Sequence, residues 1–208
     1  MQKKIAAAGL LGVATLAAAP AAAHHAMDGA LPATAAQGLL SGLAHPVIGL
    51  DHLAFLIAAG LIAGIAGVGA AAPLAFVAAS LLGVALHLGM LDLPGAEAVI
   101  ALSVIAAGAV LAWAAAGRGA GRPVLWIAGF AVVGVFHGYA FGESIVGAEQ
   151  TPLLAYLAGL AGVQSAIALA AWGLARSRGW AAESLQPRLA GAAALGVGVS
   201  TLAGQILG

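Results

Sequence analysis

The sequence predicts an all-α integral membrane protein, a bundle of six transmembrane helices after a cleavable N-terminal signal peptide. Hydrophobic residues make up 63% of the 208 residues and charged residues only 7%, against about 25% charged residues in a soluble domain. Long apolar stretches recur along the chain and are separated by short turn-forming segments. This composition excludes a water-soluble globular protein.

The first 23 residues have the three parts of a secretory signal peptide. Lys3 and Lys4 form a basic front, an apolar core follows, and three alanines at 21–23 offer a cleavage site. Because the apolar core is shorter than the roughly 20 residues that span a bilayer, cleavage is favoured over retention as a first helix. The chain therefore divides into a signal peptide, 1–23, and a six-helix transmembrane domain, 24–208.

Six apolar stretches are long enough to cross a membrane. They are residues 46–67, 72–91, 97–116, 123–141, 152–175 and 188–207. The segments between them are rich in Gly, Pro and charged residues, which is typical of turns. None of these segments is long enough to hold a soluble domain.

The arginines predict the orientation of the helices. Two of them lie in the third break and three lie at the fifth: Arg118, Arg122, Arg176, Arg178 and Arg188. Alternate breaks lie on one side of the membrane, and the positive-inside rule makes that side the cytoplasm. The signal peptide independently places the mature N-terminus in the periplasm. Both arguments predict a multi-pass protein of the bacterial inner membrane.

With this orientation, every histidine and six of the seven acidic residues lie near or beyond the periplasmic ends of the helices, Glu183 being the exception. Ionisable groups at membrane depth are costly and usually functional. Since the chain has no cysteine, imidazole and carboxylate are the strong metal ligands that it offers. This ligand set suits Ni²⁺, Co²⁺, Zn²⁺ or Fe²⁺.

The stretch HPVIGLDH, residues 45–52, opens the first predicted helix. Pro46 suits the first helical turn, so His45 is predicted at the N-cap. His45 and His52 are seven residues apart and project from one face, while Asp51 lies about 100° from His52 around the helix axis. On a straight helix these side chains do not complete a metal site, so other ligands must come from other helices.

Three further residues are candidates for those ligands. His137 and Glu143 lie in FHGYAFGESIVGAE, where glycines permit close approach or a broken helix end that turns Glu143 inward. Glu97 starts the third predicted helix, although the helix dipole alone also favours a carboxylate there. His87, near the end of the second helix, fits a hydrogen bond to a neighbouring helix better than a metal ligand.

Two more histidines follow the predicted cleavage site. His24 and His25, together with the new amino terminus, could chelate a divalent ion. A short linker that contains two histidines explains the segment equally well. Alanine at both positions should weaken metal capture only under the first interpretation.

The histidine-containing stretches resemble the signatures of a known family. HPVIGLDH resembles the H-P-x-x-G-x-D-H signature of HupE/UreJ proteins, which are found with hydrogenase and urease systems. FHGYAFGESIVGAE is similar to the family's second signature, around H-G-x-A-[HY]-G-x-E, and LPGAEAVIALSVIAAG is similar to its third-helix stretch. The resemblance covers nearly the whole chain.

The resemblance implies a nickel or cobalt permease of the secondary-transporter type. The metal-handling residues that it implies are His45, Asp51, His52, Glu97, His137 and Glu143. Some members have a histidine where this chain has Phe141. One possible ligand is therefore missing here, which bears on the coordination and on the choice of metal.

From the sequence we expect a permease that imports Ni²⁺ or Co²⁺ as its substrate and holds no permanently bound cofactor. Its affinity should fall as the pH drops into the range where imidazole takes up a proton. No G-x-x-x-x-G-K-[ST] motif occurs, so no nucleotide is expected. The formal net charge of zero gives no reason to expect nucleic acid as a partner.

Two other functions fit the same residues. A membrane accessory protein for hydrogenase or urease maturation would bind the metal without moving it, and a proton channel would use the His/Asp pairs without metal. An intramembrane metalloenzyme is disfavoured because the chain lacks an H-E-x-x-H motif. We therefore do not expect an enzyme.

Overall fold

The computed structural model describes residues 30–117 and 122–207. The predicted signal peptide, His24, His25 and Arg118 lie outside the described residues. Within these ranges the chain forms helices and no strands. We number the helices in chain order: α1 (Ala35–Ile48), α2 (Leu50–Ile65), α3 (Ala71–Leu88), α4 (Ala96–Ala112), α5 (Pro123–Glu143), α6 (Gln150–Ser177) and α7 (Leu185–Leu207).

Several of these helices are suited to cross a membrane. Helices α3, α5, α6 and α7 are long and apolar enough, and a fifth crossing results if α1 and α2 form one bent span. Helix α4 has 17 residues, about 25 Å at 1.5 Å per residue, which is shorter than the roughly 30 Å hydrocarbon core. The all-α, multi-pass prediction is confirmed with four to five candidate spans, and the sixth crossing stays a prediction.

Charged residues separate to opposite ends of the described bundle. The end that we call the acidic end holds Asp51, Asp92, Glu97, Glu143 and Glu149. The opposite end, which we call the arginine end, holds Arg122, Arg176, Arg178 and Arg188, together with Glu183. Hydrogen bonds tie the antiparallel helices α4 and α7 at both ends, from Gln205 to the Glu97 carbonyl and from Arg188 to the Ala112 carbonyl. The predicted charge separation is therefore present, and the assignment of the acidic end to the periplasm stays a prediction.

The first predicted span is wrong in its start and in its shape. Thr34 accepts a hydrogen bond from the Gln37 N–H, and the Gln37 side chain accepts one from the Thr34 N–H, which is a capping box. The helix therefore begins well before residue 46, and His45 and Pro46 lie in its last turn. A break at Gly49 follows, and the axis of α2 is bent by 77° from that of α1.

Glycines bring the helix backbones into direct contact. A Cβ added at Gly138 in α5 would overlap the Ser80 carbonyl in α3, and one at Gly42 in α1 would overlap the Tyr156 carbonyl in α6. Small residues at helix interfaces allow this close approach in membranes. The high glycine content thus packs the helices in pairs and holds the polar side chains between them at fixed positions.

We expect Gly191→Ala to destabilise the folded protein and Gly204→Ala, in the same helix, to leave its stability unchanged. A Cβ at residue 191 would lie 2.5 Å from the Ala112 nitrogen and 2.5 Å from the Leu111 Cβ. Overpacking of this kind costs about 1–3 kcal/mol. At Gly204 no described atom of another helix lies within 4 Å of the added Cβ. Thermal unfolding of the detergent-purified variants measures the difference, and equal midpoints would contradict backbone contact between α4 and α7.

Candidate metal centre

The break between α1 and α2 gathers the first histidine motif. In a straight helix His45 and His52 would be separated by about 10 Å along the axis, but their ring centroids are 6.3 Å apart. A Cβ at Gly49 would lie 2.7 Å from the His52 Cδ2 atom, so glycine leaves room for the imidazole beside the break. Asp51 accepts the His52 N–H at 2.8 Å through Oδ1, and the same oxygen is 3.9 Å from His52 Nε2.

Two imidazoles from different helices meet at the centre of the site. The Nδ1 atoms of His52 in α2 and His137 in α5 are 2.7 Å apart. His52 is 7% exposed and His137 is fully buried. The structure therefore brings together histidines that the sequence places 85 residues apart.

The proton positions of this pair follow from its neighbours. The Ser103 hydroxyl donates to the Ile100 carbonyl at 2.7 Å, so the Ser103 oxygen accepts from His137 Nε2–H at 2.9 Å. The Nδ1 atom of neutral His137 is then an acceptor, and His52 Nδ1–H donates to it. A directed chain of hydrogen bonds thus runs from His52 through His137 to Ser103.

His45 lies on the acidic-end side of the pair in a polar pocket of its own. Its Nδ1 atom is 3.0 Å from the Ser144 hydroxyl and 3.1 Å from the Tyr156 hydroxyl. Tyr156 donates its proton to the Phe141 carbonyl at 2.8 Å, so His45 Nδ1–H donates to the tyrosine oxygen. His45 is 5% exposed, and it lies in the last turn of α1 and is not the N-cap that we predicted.

The Phe141 ring fills the space between the two histidines of the first motif. Its centroid is 4.2 Å from that of His52 and 5.1 Å from that of His45. The side chain is fully buried. The position at which some relatives carry a histidine, according to the sequence resemblance, therefore belongs to the wall of this site.

Aromatic rings cover the side of His137 that faces the arginine end. The rings of Phe55 and Phe76 lie 4.8 Å and 5.3 Å from the His137 ring and stack on each other at 4.9 Å. Beyond Phe55 lies a cavity of about 430 Å³ between α2, α4 and α5. Its lining is apolar except for Ser103 and the indole of Trp126.

The six predicted metal residues fall into two groups. Four of them lie together in one cluster: the buried His45, His52 and His137 and the partly buried Asp51. Glu97 and Glu143 are exposed at the acidic end, outside this cluster. In residues 30–117 and 122–207, no group of three or more His, Cys, Asp or Glu side chains is arranged to hold a metal ion.

His87 lies apart from the cluster. Its ring packs against Tyr139 with centroids 4.4 Å apart. Its Nδ1 atom is buried and has no hydrogen-bond partner among the described residues. The hydrogen bond to a neighbouring helix that we expected is therefore not found for this nitrogen.

Sequence reasoning missed the hydroxyl groups that surround the histidines. Ser103, Ser144 and Tyr156 each contact His137 or His45 directly. Their only signal in the sequence is a single polar residue inside or beside an apolar helix. Such residues are common in membrane helices, so the signal does not by itself connect them to the histidines.

Comparison with known proteins assigns the chain to a family. The family described as HupE / UreJ protein matches residues 12–201, which is most of the chain. No curated protein and no solved structure matches it. The family is associated with nickel and cobalt transport or with accessory functions, and it is not a family of enzymes. The chain, with its bent first motif and its buried histidine pair, belongs to the HupE/UreJ family.

Proposed function

We propose that the chain is a secondary transporter that imports nickel or cobalt across the inner membrane and binds the ion at the His52–His137 pair. The observation that carries the proposal is the 2.7 Å contact between two buried Nδ1 atoms from different helices. Two nitrogens that bind one ion at about 2.1 Å lie roughly 3 Å apart. A small separation of the two rings would therefore admit an ion between them.

Each imidazole of the pair also has a group that can accept its other proton. His137 already donates through Nε2 to Ser103. When an ion takes the place of the shared proton, that proton moves from Nδ1 to Nε2 of His52, where the Asp51 carboxylate is 3.9 Å away. Partners of this kind hold a metal-binding imidazole in the correct tautomer and orientation.

The small number of protein ligands suits a transported ion. A permeating ion must bind well enough to enter and weakly enough to leave, and water would complete the coordination around the two nitrogens. The exposed carboxylates of the acidic end, among them Glu97 and Glu143, would raise the local concentration of cations at the entrance. His45 would receive the ion before the pair does.

A proton channel is the second candidate. The directed hydrogen bonds that join His52, His137 and Ser103 form a short path along which a proton could pass. This candidate needs no metal at the pair. Metal binding by the purified protein is therefore expected for the transporter and not for the proton channel.

The test is uptake of radioactive nickel and cobalt, measured separately, in cells that lack their own importers of both metals. We expect cells that produce the chain to accumulate at least one metal above the level of cells with an empty vector. An accessory protein would bind the metal after purification without accumulating it in cells. A proton channel would show neither effect and would make the membrane leaky to protons, and either of these results would overturn the transporter.

A further inference from the structure

A second buried polar group lies outside the histidine cluster. Gln164 of α6 is fully buried, and so is Ser80 of α3. The Gln164 Oε1 atom is placed 3.2 Å from the Ser80 hydroxyl oxygen. The Gln164 Nε2 atom is buried and has no hydrogen-bond partner among the described residues. A buried amide with an unused end is costly inside a membrane protein unless something binds it.

The hydrogen bonds of Ser80 indicate which end of the amide is unused. A serine hydroxyl has one proton, and Ser80 is 2.8 Å from the Val77 carbonyl, which accepts that proton. The atom of Gln164 that contacts the Ser80 oxygen must then be the donating NH₂ group. Since the oxygen and nitrogen of an amide are assigned from their hydrogen bonds, these contacts favour the turned-over amide, in which the carbonyl oxygen occupies the position where Nε2 has no hydrogen-bond partner among the described residues.

The amide lies just beyond the histidine pair on the way to the arginine end. Gly60 of α2 packs against the Ala168 carbonyl of α6, and these helices run in the same direction. Gln164 precedes Ala168 by one turn and His52 precedes Gly60 by two, so Gln164 lies about 6 Å further inward than His52. Ser80 links the two sites, since its carbonyl packs against Gly138, the neighbour of His137.

We propose that Gln164 forms an inner ion station, in which its amide oxygen ligates the divalent cation after the cation leaves the histidine pair. The proposal rests on the transport function above and adds a step to it. Ni²⁺ and Co²⁺ accept oxygen as well as nitrogen ligands. An uncharged oxygen binds the ion weakly, which allows onward release toward the arginine end.

The apolar cavity next to Ser103 is less suited than Gln164 to bind the cation after it leaves the histidine pair. Its lining offers a single hydroxyl and an indole N–H, which cannot ligate a cation. Phe55 and Phe76 also cover the face of His137. Among the described residues, the buried polar side chains outside the histidine network are Ser41, Ser80 and Gln164, and the last two are in contact with each other.

Two substitutions of Gln164 test the station in the full-length chain. Gln164→Leu keeps the volume and removes the oxygen. We expect nickel binding at the histidine pair to be unchanged in the purified protein, while nickel uptake into cells falls about tenfold or more. Gln164→Glu replaces the weak ligand by a carboxylate, and we expect the purified protein to hold one more nickel ion per chain than the wild type. Ser41→Ala, which removes another buried polar group, is the control and should match the wild type in both assays.

Uptake at the wild-type rate by Gln164→Leu would overturn the station, and so would an unchanged ion count in Gln164→Glu. A purely structural role for Gln164 would not add a bound ion. If the wild type takes up no metal, the transport function fails by itself. The ion count of Gln164→Glu then still decides whether the station exists, with an extra ion supporting it and an equal count contradicting it.

Discussion

Replacing His52 or His137 by alanine should abolish nickel or cobalt uptake. Either change removes one of two nitrogens that would bind the same ion, and the 2.7 Å contact between them is lost. We expect the metal affinity of the purified protein to fall by at least about 100-fold. Equilibrium dialysis with nickel and cobalt measures the affinity, and cellular uptake at matched membrane abundance measures transport.

The double variant distinguishes one metal site that both histidines share from two independent metal sites. Because the two histidines would act on one ion, His52→Ala with His137→Ala should be no more defective than either single variant. His87→Ala is the control, since that ring packs against Tyr139 away from the pair, and it should bind and transport metal normally. Near-normal uptake by His52→Ala would show that the ion does not pass through this pair.

Phe141→His should make the site bind the metal ion more tightly and release it more slowly. The Phe141 ring contacts both His45 and His52, so an imidazole there would add a nitrogen between them. We expect metal affinity to rise at least about tenfold, because a third protein ligand replaces water. Uptake at saturating metal should slow, because the ion leaves a tighter site less readily.

Phe141→Leu is the matched control for this change. It alters the ring but adds no ligand, and its metal affinity should equal that of the wild type. Both variants can be compared by equilibrium dialysis and by the maximal rate of uptake. An affinity for Phe141→His that does not exceed the affinity of Phe141→Leu would mean that the ion does not approach this position.

The sequence predicted the chemistry of the cluster better than its shape. His52 and His137 stand out because ionisable groups inside apolar membrane helices are rare. The bend at Gly49 was not predicted, because apolar residues continue on both sides of it and its φ of −71° is ordinary for any residue. The true start of α1 did have a signal in the sequence, the Thr34–Gln37 capping box, which lies before the first predicted span at residues 46–67.

The orientation of side chains at helix ends could not be predicted either. Glu143 is the last residue of α5 and Glu97 lies in the first turn of α4. At a helix end, a small rotation of the backbone decides whether a side chain points into the bundle or toward its surface. The structure leaves both exposed. The residues that position the imidazoles, such as Ser103, depend on helix pairs that only the folded bundle brings together.

The most direct test of the account uses the purified chain in liposomes, with a nickel- and cobalt-sensitive dye inside and no other protein present. Metal added outside should enter the liposomes that contain the wild type, and liposomes with His52→Ala and His137→Ala should match protein-free ones. This result would establish that the chain itself moves the ion through the histidine pair. Entry at the protein-free rate with folded, metal-binding wild type would contradict transport and favour an accessory role.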